Sequence, residues 1–273
     1  MSYRLREVEL DILPADAQSL RILHFSDLHL TPSRKVEIRD IQSFESLEPD
    51  LVIVTGDFMA HRDAVPVVLS ALGGLLDRHG AFVFGSNDYF APSLKNPFSY
   101  LMPDKGVRKL GEELDSTGLS RSLEELGWIN LNHHKSIVKI NGLKIELRGT
   151  DDAHLNRDKY ELVSGKKSRG VDLSIGVTHA PYARVLEAMS RDNLDIIFAG
   201  HTHGGQVRMP WIGESKALVT NCDLPTWRAR GLTKIDGQPW LHVSAGMGTS
   251  PFARIRVASP PEASIITLTS PKN

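Results

Sequence analysis

The sequence Gly200-His201-Thr202-His203-Gly204-Gly205-Gln206 follows directly on an apolar run, Ile196–Ala199. That run predicts a buried β-strand, so two histidines stand just beyond its carboxyl end. In extended backbone, residues two apart share one face, and both imidazoles can therefore turn toward one point. The neighbouring glycines permit unusual backbone angles and a close approach of a ligand. An isolated pair of this kind is more often an ordinary pair of loop histidines, but here the arrangement recurs.

Four other apolar runs also end in residues of metal-ligand type. In open α/β sheets, ligands bind at the carboxyl ends of the strands, so side chains that follow such strands are expected to meet. Each alone has an ordinary explanation, such as capping of a helix by an aspartate or burial of a histidine in the core; the coincidence favours a common site. The runs are Leu20–Phe25 before Asp27 and His29, Leu51–Val54 before Asp57, Ala81–Phe84 before Asn87, and Ser174–Val177 before His179.

The chemistry of these side chains predicts a two-metal centre. Carboxylates and imidazoles suit Mn, Fe or Zn, and no thiolate accompanies them. Seven such groups exceed the three or four protein ligands that one catalytic metal commonly takes. Two metals that share a carboxylate activate water and hold a phosphoryl group. We therefore expect two divalent ions, with Mg as a further option.

Composition narrows the class of protein. The chain has 273 residues, 41% of them hydrophobic, and a formal net charge of -1, which gives no electrostatic drive toward nucleic acid. Cys222 is the one cysteine, so an internal disulfide is excluded. No signal peptide or membrane-spanning run is recognised, which predicts a cytoplasmic protein or one peripheral to a membrane. We see no linker or repeat and expect a single domain over residues 1–273.

The order of these motifs resembles the calcineurin-like metallophosphoesterase superfamily. The motifs are Asp27-Leu28-His29, Gly56-Asp57, Gly85-Ser86-Asn87-Asp88, Thr178-His179-Ala180-Pro181 and Gly200-His201-Thr202-His203. Gly204-Gly205-Gln206-Val207-Arg208-Met209-Pro210, Gly246-Met247-Gly248-Thr249-Ser250 and Pro260-Pro261-Glu262 are similar to a bacterial branch of membrane-associated phosphodiesterases.

The resemblance implies an α/β fold, a four-layer α/β/β/α sandwich of metallophosphatase type with two central mixed β-sheets. It also implies a role for each ligand. Asp57 would bridge the two metals, and a metal-activated water would attack phosphorus. The first metal would be held by Asp27, His29 and His203, and the second by His179, His201 and Asn87.

The third motif departs from the usual pattern, Gly-Asn-His followed by Asp or Glu. Aligned without a gap, Ser86 takes the place of the metal-binding Asn, and Asn87 takes that of a histidine that assists the leaving oxygen. We favour a local shift that lets Asn87 bind metal, and we count Asp57, Asn87 and Asp88 as catalytic. No histidine remains in the motif, which predicts a slower enzyme that prefers good leaving groups. His61, His133, His134 and His154 are open substitutes.

Three further features stay open at this stage. The segment from Tyr89 to Lys109 is aromatic, basic and proline-rich, and covering the substrate and ordinary packing are equally favoured. Asp151-Asp152 resembles an acidic pair of the branch, although a polar turn is the preferred interpretation. Arg208 could contact a phosphate or be structural, and Trp211 and Trp227 could line the site or pack in the core.

We therefore expect a dinuclear metal-dependent phosphoesterase that hydrolyses phosphodiester or pyrophosphate bonds. Its substrate would be a phosphate ester, with a lipid- or nucleotide-linked ester as one option, and no nucleic acid partner is expected. One alternative is a pyrophosphatase acting on a UDP-linked acyl sugar, a lipid precursor that would bring peripheral membrane contact. The other is a catalytically weak metal-binding scaffold protein. Substrate-binding residues and the oligomeric state are left unassigned.

Overall fold

A computed structural model describes residues 3–93, 110–209, 216–235, 239–251 and 256–271 of the chain. Five α-helices occur within these ranges: α1 (Lys35–Gln42), α2 (Val65–Leu72), α3 (Ser86–Tyr89), α4 (Ser116–Glu125) and α5 (Ala183–Arg191). The strands in the same ranges are β1 (Arg4–Asp11), β2 (Leu20–Phe25), β3 (Leu51–Thr55), β4 (His79–Val83), β5 (Ile129–Asn130), β6 (Lys135–Ile140), β7 (Leu143–Gly149), β8 (Leu173–Val177), β9 (Ile196–Ala199), β10 (Arg208–Met209), β11 (Lys216–Ala217), β12 (Gly231–Lys234), β13 (Trp240–Val243) and β14 (Glu262–Thr269).

Twelve of these strands form two mixed sheets. The first has the order β1-β14-β2-β3-β4-β5 and the second the order β12-β13-β9-β8-β7-β6. In the first sheet β2, β3, β4 and β5 run parallel, while β14 is antiparallel to β2. In the second, β7, β8, β9 and β13 run parallel, and β6 and β12 are antiparallel to their neighbours. The carboxyl ends of the central strands therefore meet at one edge.

Three apolar layers separate the two sheets and their helices. Ile22 and Ile53 of the first sheet pack against Ile175 and Phe198 of the second in one shared cluster. Because successive strand residues face opposite ways, the other face of the first sheet packs against α1, α2 and α4. The outer face of the second sheet packs against α5. The four-layer α/β/β/α sandwich is thus confirmed.

Local sequence signals explain most element boundaries. All five residues of β3 are buried, as expected for a parallel strand covered on both faces. Asn141 and Gly142 have φ of 51° and 81° and join β6 to β7, as the Asn-Gly signal predicts. The α2 helix ends at Leu72 and continues as a 3₁₀ turn, Gly73–Asp77. Gly73 breaks it, since its φ is 49°.

Across the described ranges, none of the helices combines the length and the apolar character that crossing a membrane requires.

Candidate metal centre

The predicted ligands lie where the carboxyl ends of both sheets meet. Hydrogen bonds join the two sheets at this point, and two of them involve the predicted ligands directly. The His179 Nδ1–H donates to the carbonyl oxygen of Thr55 at 2.7 Å, and the His201 backbone N–H donates to Asp27 Oδ2 at 3.1 Å. The structure therefore brings together residues that are far apart in sequence. They are Asp27 and His29 after β2, Asp57 after β3, Asn87 in α3 after β4, His179 after β8, and His201 and His203 after β9.

Most of these side chains stand on left-handed backbone. Positive φ is uncommon for residues other than glycine, and such conformations cost about 1–3 kcal/mol each and cluster at functional sites. The strand ends thus turn sharply to aim their side chains inward. The φ values are 53° for Asp27, 45° for His29, 57° for Asp57, 70° for His201 and 49° for His203.

Gly85 makes room for the ligands. A Cβ atom at this position would lie 2.3 Å from Asp57 Oδ1 and 2.6 Å from His179 Nε2. The first glycine of the third motif is therefore required by the close approach of two ligands.

The donors form two groups around two carboxylates. The ligand atoms of Asp27, His29 and His203 all lie within 4.8 Å of one another, as do those of Asp27, Asp57 and His179. Asp57 also contacts a histidine from each predicted set. Its Oδ2 is 3.7 Å from His29 Nε2, and its Oδ1 is 3.6 Å from His179 Nε2. Asp27 thus belongs to both groups, and Asp57 lies between His29 and His179.

His201 joins the second group through His179. Its Nδ1 lies 3.3 Å from His179 Nε2, while its Nε2 lies 3.1 Å from the carbonyl oxygen of Asn221. A carbonyl accepts hydrogen bonds only, so the two carbonyls of Thr55 and Asn221 place the ring protons on the outward nitrogens. The inward nitrogens then face each other, which is the tautomer that a metal ligand needs.

Asn87 lies against the bridging carboxylate. Its backbone N–H donates to Asp57 Oδ1 at 2.8 Å, and its Nδ2 donates to Asp57 Oδ2 at 2.6 Å. Ser86 Oγ lies 3.5 Å from the same Nδ2. Both residues of the altered motif line the cleft above the ligands.

The buried carboxylates of the ligand cluster favour a positive charge at the site. Burial raises the pKa of Asp27 to about 6, with His179 lowering it and the charge of Asp57 raising it within that net value. Burial lowers the pKa of His179, but Asp57, Asp27 and Asp152 outweigh this and raise it to about 9. Burial lowers the pKa of His29 to about 4, which keeps that ring neutral, the form that binds metal. The raised pKa of His179 therefore indicates that the neighbouring carboxylates stabilise a positive charge at this position.

The donor set is therefore suitable for divalent metal. Asp27 Oδ1 is buried and has no hydrogen bond among the described residues, as expected for an atom whose partner is an ion. Nitrogen and carboxylate oxygen donors converge, with no sulfur among them. This set matches Mn, Fe or Zn sites in general.

Asp88 has a position unlike that of the other site residues. Its carboxylate is buried and accepts hydrogen bonds from the backbone N–H groups of Asp57, Phe58, Met59 and Gly85. Burial and the charge of Asp57 raise the pKa of Asp88 to about 8, against the effect of these donors. Asp88 thus anchors the loop that carries Asp57.

The candidate histidines of the sequence separate clearly. His61 and His134 are exposed, and His133 bonds to the carbonyl oxygen of Arg157. His154 lines the cleft together with Ser86 and Asn87.

The remaining candidates lie outside the ligand cluster. Asp151 accepts hydrogen bonds from Tyr89 and Arg157, and Asp152 caps the 3₁₀ turn that carries His154. Arg208 is buried and donates to the carbonyl oxygen of Gly204. Trp227 is 59% exposed, while Trp211 and residues 94–109 lie outside the described residues.

Sequence reasoning missed Arg256. Its Nη2 lies 3.2 Å from His203 Nδ1 and donates to the carbonyl oxygens of Gly246, at 3.1 Å, and Gly248, at 2.6 Å. The Gly248 N–H in turn donates to the carbonyl oxygen of Asp27. The Gly246–Ser250 motif was a signal for this loop, but nothing local in the sequence links Arg256 to it.

Comparisons with known proteins agree with this geometry. The sequence model of the calcineurin-like phosphoesterases matches residues 20–205, a range that includes every predicted ligand. YkoQ of Bacillus subtilis strain 168, an uncharacterised metallophosphoesterase, is 29% identical over 258 residues, which cover 92% of this chain and 84% of YkoQ. The phosphodiesterase YaeI of Escherichia coli K12 is 25% identical over 262 residues, covering 93% of this chain and 83% of YaeI.

A bovine transmembrane protein with a metallophosphoesterase domain is 28% identical over 220 residues. The match covers 74% of this chain and 44% of the bovine protein, so the chain corresponds to less than half of that relative.

The family match covers well over half of the sequence, and the matched range contains the aspartate and histidine cluster. The protein is a dinuclear metal-dependent phosphoesterase, a hydrolase of phosphoric esters. The chain belongs to the calcineurin-like phosphoesterase family.

Proposed function

We propose that this enzyme hydrolyses phosphodiesters or pyrophosphates, and that the first metal is held by Asp27, His29 and His203. His179, His201 and Asn87 would hold the second, with Asp57 bridging both. The contacts of Asp57 carry this proposal, because the carboxylate lies within 3.7 Å of a histidine nitrogen from each set. Mn, Fe or Zn is the proposed metal, on the strength of the nitrogen and oxygen donors.

Bound divalent ions would supply an activated water and stabilise charge on the phosphoryl group. The chain's own residues prepare that site. Thr55 and Asn221 fix the ring orientation of His179 and His201, and Asp88 fixes the loop of Asp57. The cleft above the ligands has a cavity volume of about 90 Å³ and opens to solvent.

Asn87 is the proposed substitute for the usual asparagine of motif three. Its side-chain amide already lies at the bridging carboxylate, and rotation about its last side-chain bond would exchange the amide nitrogen for the oxygen. Ser86, whose hydroxyl is a weak ligand, is then free to contact substrate.

We also propose that residues 1–273 form one domain. The apolar cluster between the two sheets supports this, because residues before 84 and after 140 pack together in it.

The test is hydrolysis of bis-p-nitrophenyl phosphate beside p-nitrophenyl phosphate. The protein is stripped with chelator and then given Mn, Fe, Zn or Mg separately. We expect restored cleavage that is faster for the diester and falls by about a thousandfold or more in Asp57→Asn, because several kcal/mol of charge stabilisation is lost. A control variant, His61→Asn, should retain full activity, since His61 is exposed.

Two results would contradict the proposal. Faster cleavage of the monoester would overturn the preference for diesters. Full activity of Asp57→Asn would overturn the bridging role.

A further inference from the structure

The wall of the cleft on the Asn87 side contains a histidine that is not among the proposed ligands. Ser86, Asn87 and His154 line both the main cleft and the adjoining hollow. The Asn87 amide is engaged with Asp57. His154 adds an imidazole ring to this wall.

The ring of His154 is held from three sides. Asp152 caps the 3₁₀ turn Ala153–Leu155 and accepts the backbone N–H of His154 at 3.0 Å. His154 Nδ1 lies 3.1 Å from the Tyr182 hydroxyl. The ring also packs on His201, with 4.5 Å between ring centroids. These contacts fix the direction in which Nε2, on the opposite edge of the ring, points.

We infer that His154 donates a hydrogen bond from Nε2 to the leaving oxygen of the substrate; the inference rests on the proposed function. The Tyr182 hydroxyl can donate to Nδ1, which leaves the ring proton on Nε2. When the P–O bond to the leaving group breaks, its electron pair stays on that oxygen. The hydrogen bond stabilises this charge, and solvent water supplies the proton that the product finally carries.

The position of the donor makes it effective. A preorganised donor aimed at developing charge is worth about 10²–10³ in rate. His154 packs on His201 of the second ligand set and lines the same cleft as Asn87, so an ester held over the ligands lies beside it. The altered third motif supplies Ser86 and Asn87 at this wall, and the histidine comes from a different loop.

The experiment compares leaving groups of rising basicity. Methyl aryl phosphate diesters with 4-nitrophenyl, 4-chlorophenyl and phenyl leaving groups are given to the wild type and to His154→Ala, each loaded with Mn. We expect kcat/KM of the variant to fall about tenfold on the nitrophenyl ester and a hundredfold or more on the phenyl ester. A more basic oxygen carries more charge, so it depends more on the donor.

Two further variants separate contact from structure. His154→Gln keeps an N–H donor and should recover part of the loss on the phenyl ester. Tyr182→Phe removes the partner of Nδ1 and should show a smaller loss of the same dependence. His133→Ala, a histidine away from the cleft, should match the wild type. Metal content of every variant, measured by elemental analysis, should stay at two ions.

Each contrary result has a distinct meaning. Equal losses of His154→Ala on all three esters, or a loss of bound metal, would show a structural role and overturn the inference. The absence of any loss would overturn it as well. If the metal-loaded wild type cleaved none of the esters, the proposed function itself would fail, and the inference with it.

Discussion

Two buried pairs of histidines occupy the region between the sheets, and they have opposite properties. His24 Nδ1 and His242 Nδ1 lie 2.7 Å apart in the core, while His201 Nδ1 and His179 Nε2 lie 3.3 Å apart at the sheet edge. Each pair joins one strand or strand end to another. We refer to them as the core pair and the edge pair.

The surroundings explain the difference. Burial lowers the pKa of His24 well below its usual value, and His242 adds to this; burial likewise lowers the pKa of His242 to about 3, helped by Arg6. Both rings of the core pair are therefore neutral and share one hydrogen bond. At the edge pair, three carboxylates raise the pKa of His179 despite its burial.

Carboxylates and backbone carbonyls, rather than the histidines themselves, thus decide whether a buried pair stabilises a cation. The outward nitrogens of the edge pair face carbonyl oxygens. In the core pair, His24 Nε2 contacts the Thr55 hydroxyl, and His242 Nε2 has no hydrogen bond within the described residues. Only the edge pair presents its inward nitrogens next to negative charge.

Removal of one histidine of the edge pair has the largest expected effect. We expect His179→Ala to lose one bound ion and about a thousandfold in kcat/KM, because several kcal/mol of charge stabilisation disappears. The double variant His24→Leu/His242→Leu should keep both ions, since the core pair is not a metal site. Elemental analysis after dialysis and diester hydrolysis measure both effects. Loss of metal from the double variant would show that the core pair also contributes to metal binding, contrary to this prediction.

The sequence predicted the edge pair because its signal is local. Apolar runs such as Ile196–Ala199 end in polar residues, and parallel strands bring such ends together. The strand bounds of β2 and β9 match the prediction. The core pair gave no such signal, because His24 and His242 lie within strands and meet only through the stacking of two sheets.

Other features depended on long-range packing in the same way. His154 was one of four histidines that the sequence could not rank, since its distance from the cleft depends on how the turn after β7 packs against Tyr182. Arg256 reaches His203 across 53 residues of chain. The pairing of β1 with β14 joins the two ends of the described chain, which no local pattern could specify.

A smaller effect is expected when a methyl group is added next to the edge pair and no ligand is removed. Gly85 has φ of -110°, so alanine is compatible with the backbone, but the new Cβ would lie 2.3 Å from Asp57 Oδ1. We expect Gly85→Ala to bind metal about 10–100-fold more weakly, the range seen when the support of a ligand is disturbed. Calorimetric titration of the apoprotein with Mn measures this change.

Gly142→Ala is the matched control for that variant. A Cβ there meets nothing within 4 Å, although its φ is 81°, so the change should lower stability by about 1–2 kcal/mol and leave metal affinity unchanged. Equal affinities of Gly85→Ala and the wild type would show that the ligands tolerate displacement.

The smallest predicted effect concerns the core pair alone. Its folded-state pKa values lie below the roughly 6.5 of an unfolded histidine, so the unfolded state binds more protons once the pH falls below that value. Between pH 6.5 and 5.5 the two rings should together reduce the free energy of unfolding by about 2 kcal/mol. The double variant His24→Leu/His242→Leu should lack this part of the pH dependence, because replacing both partners by apolar groups of similar size is nearly neutral.

Urea unfolding of the metal-free protein at both pH values measures the difference, with His61→Asn as the exposed control. Parallel pH profiles for the wild type and the double variant would mean that the core pair is already protonated in the folded protein. The contrast between the two pairs would then lie in their partners alone, not in their charge.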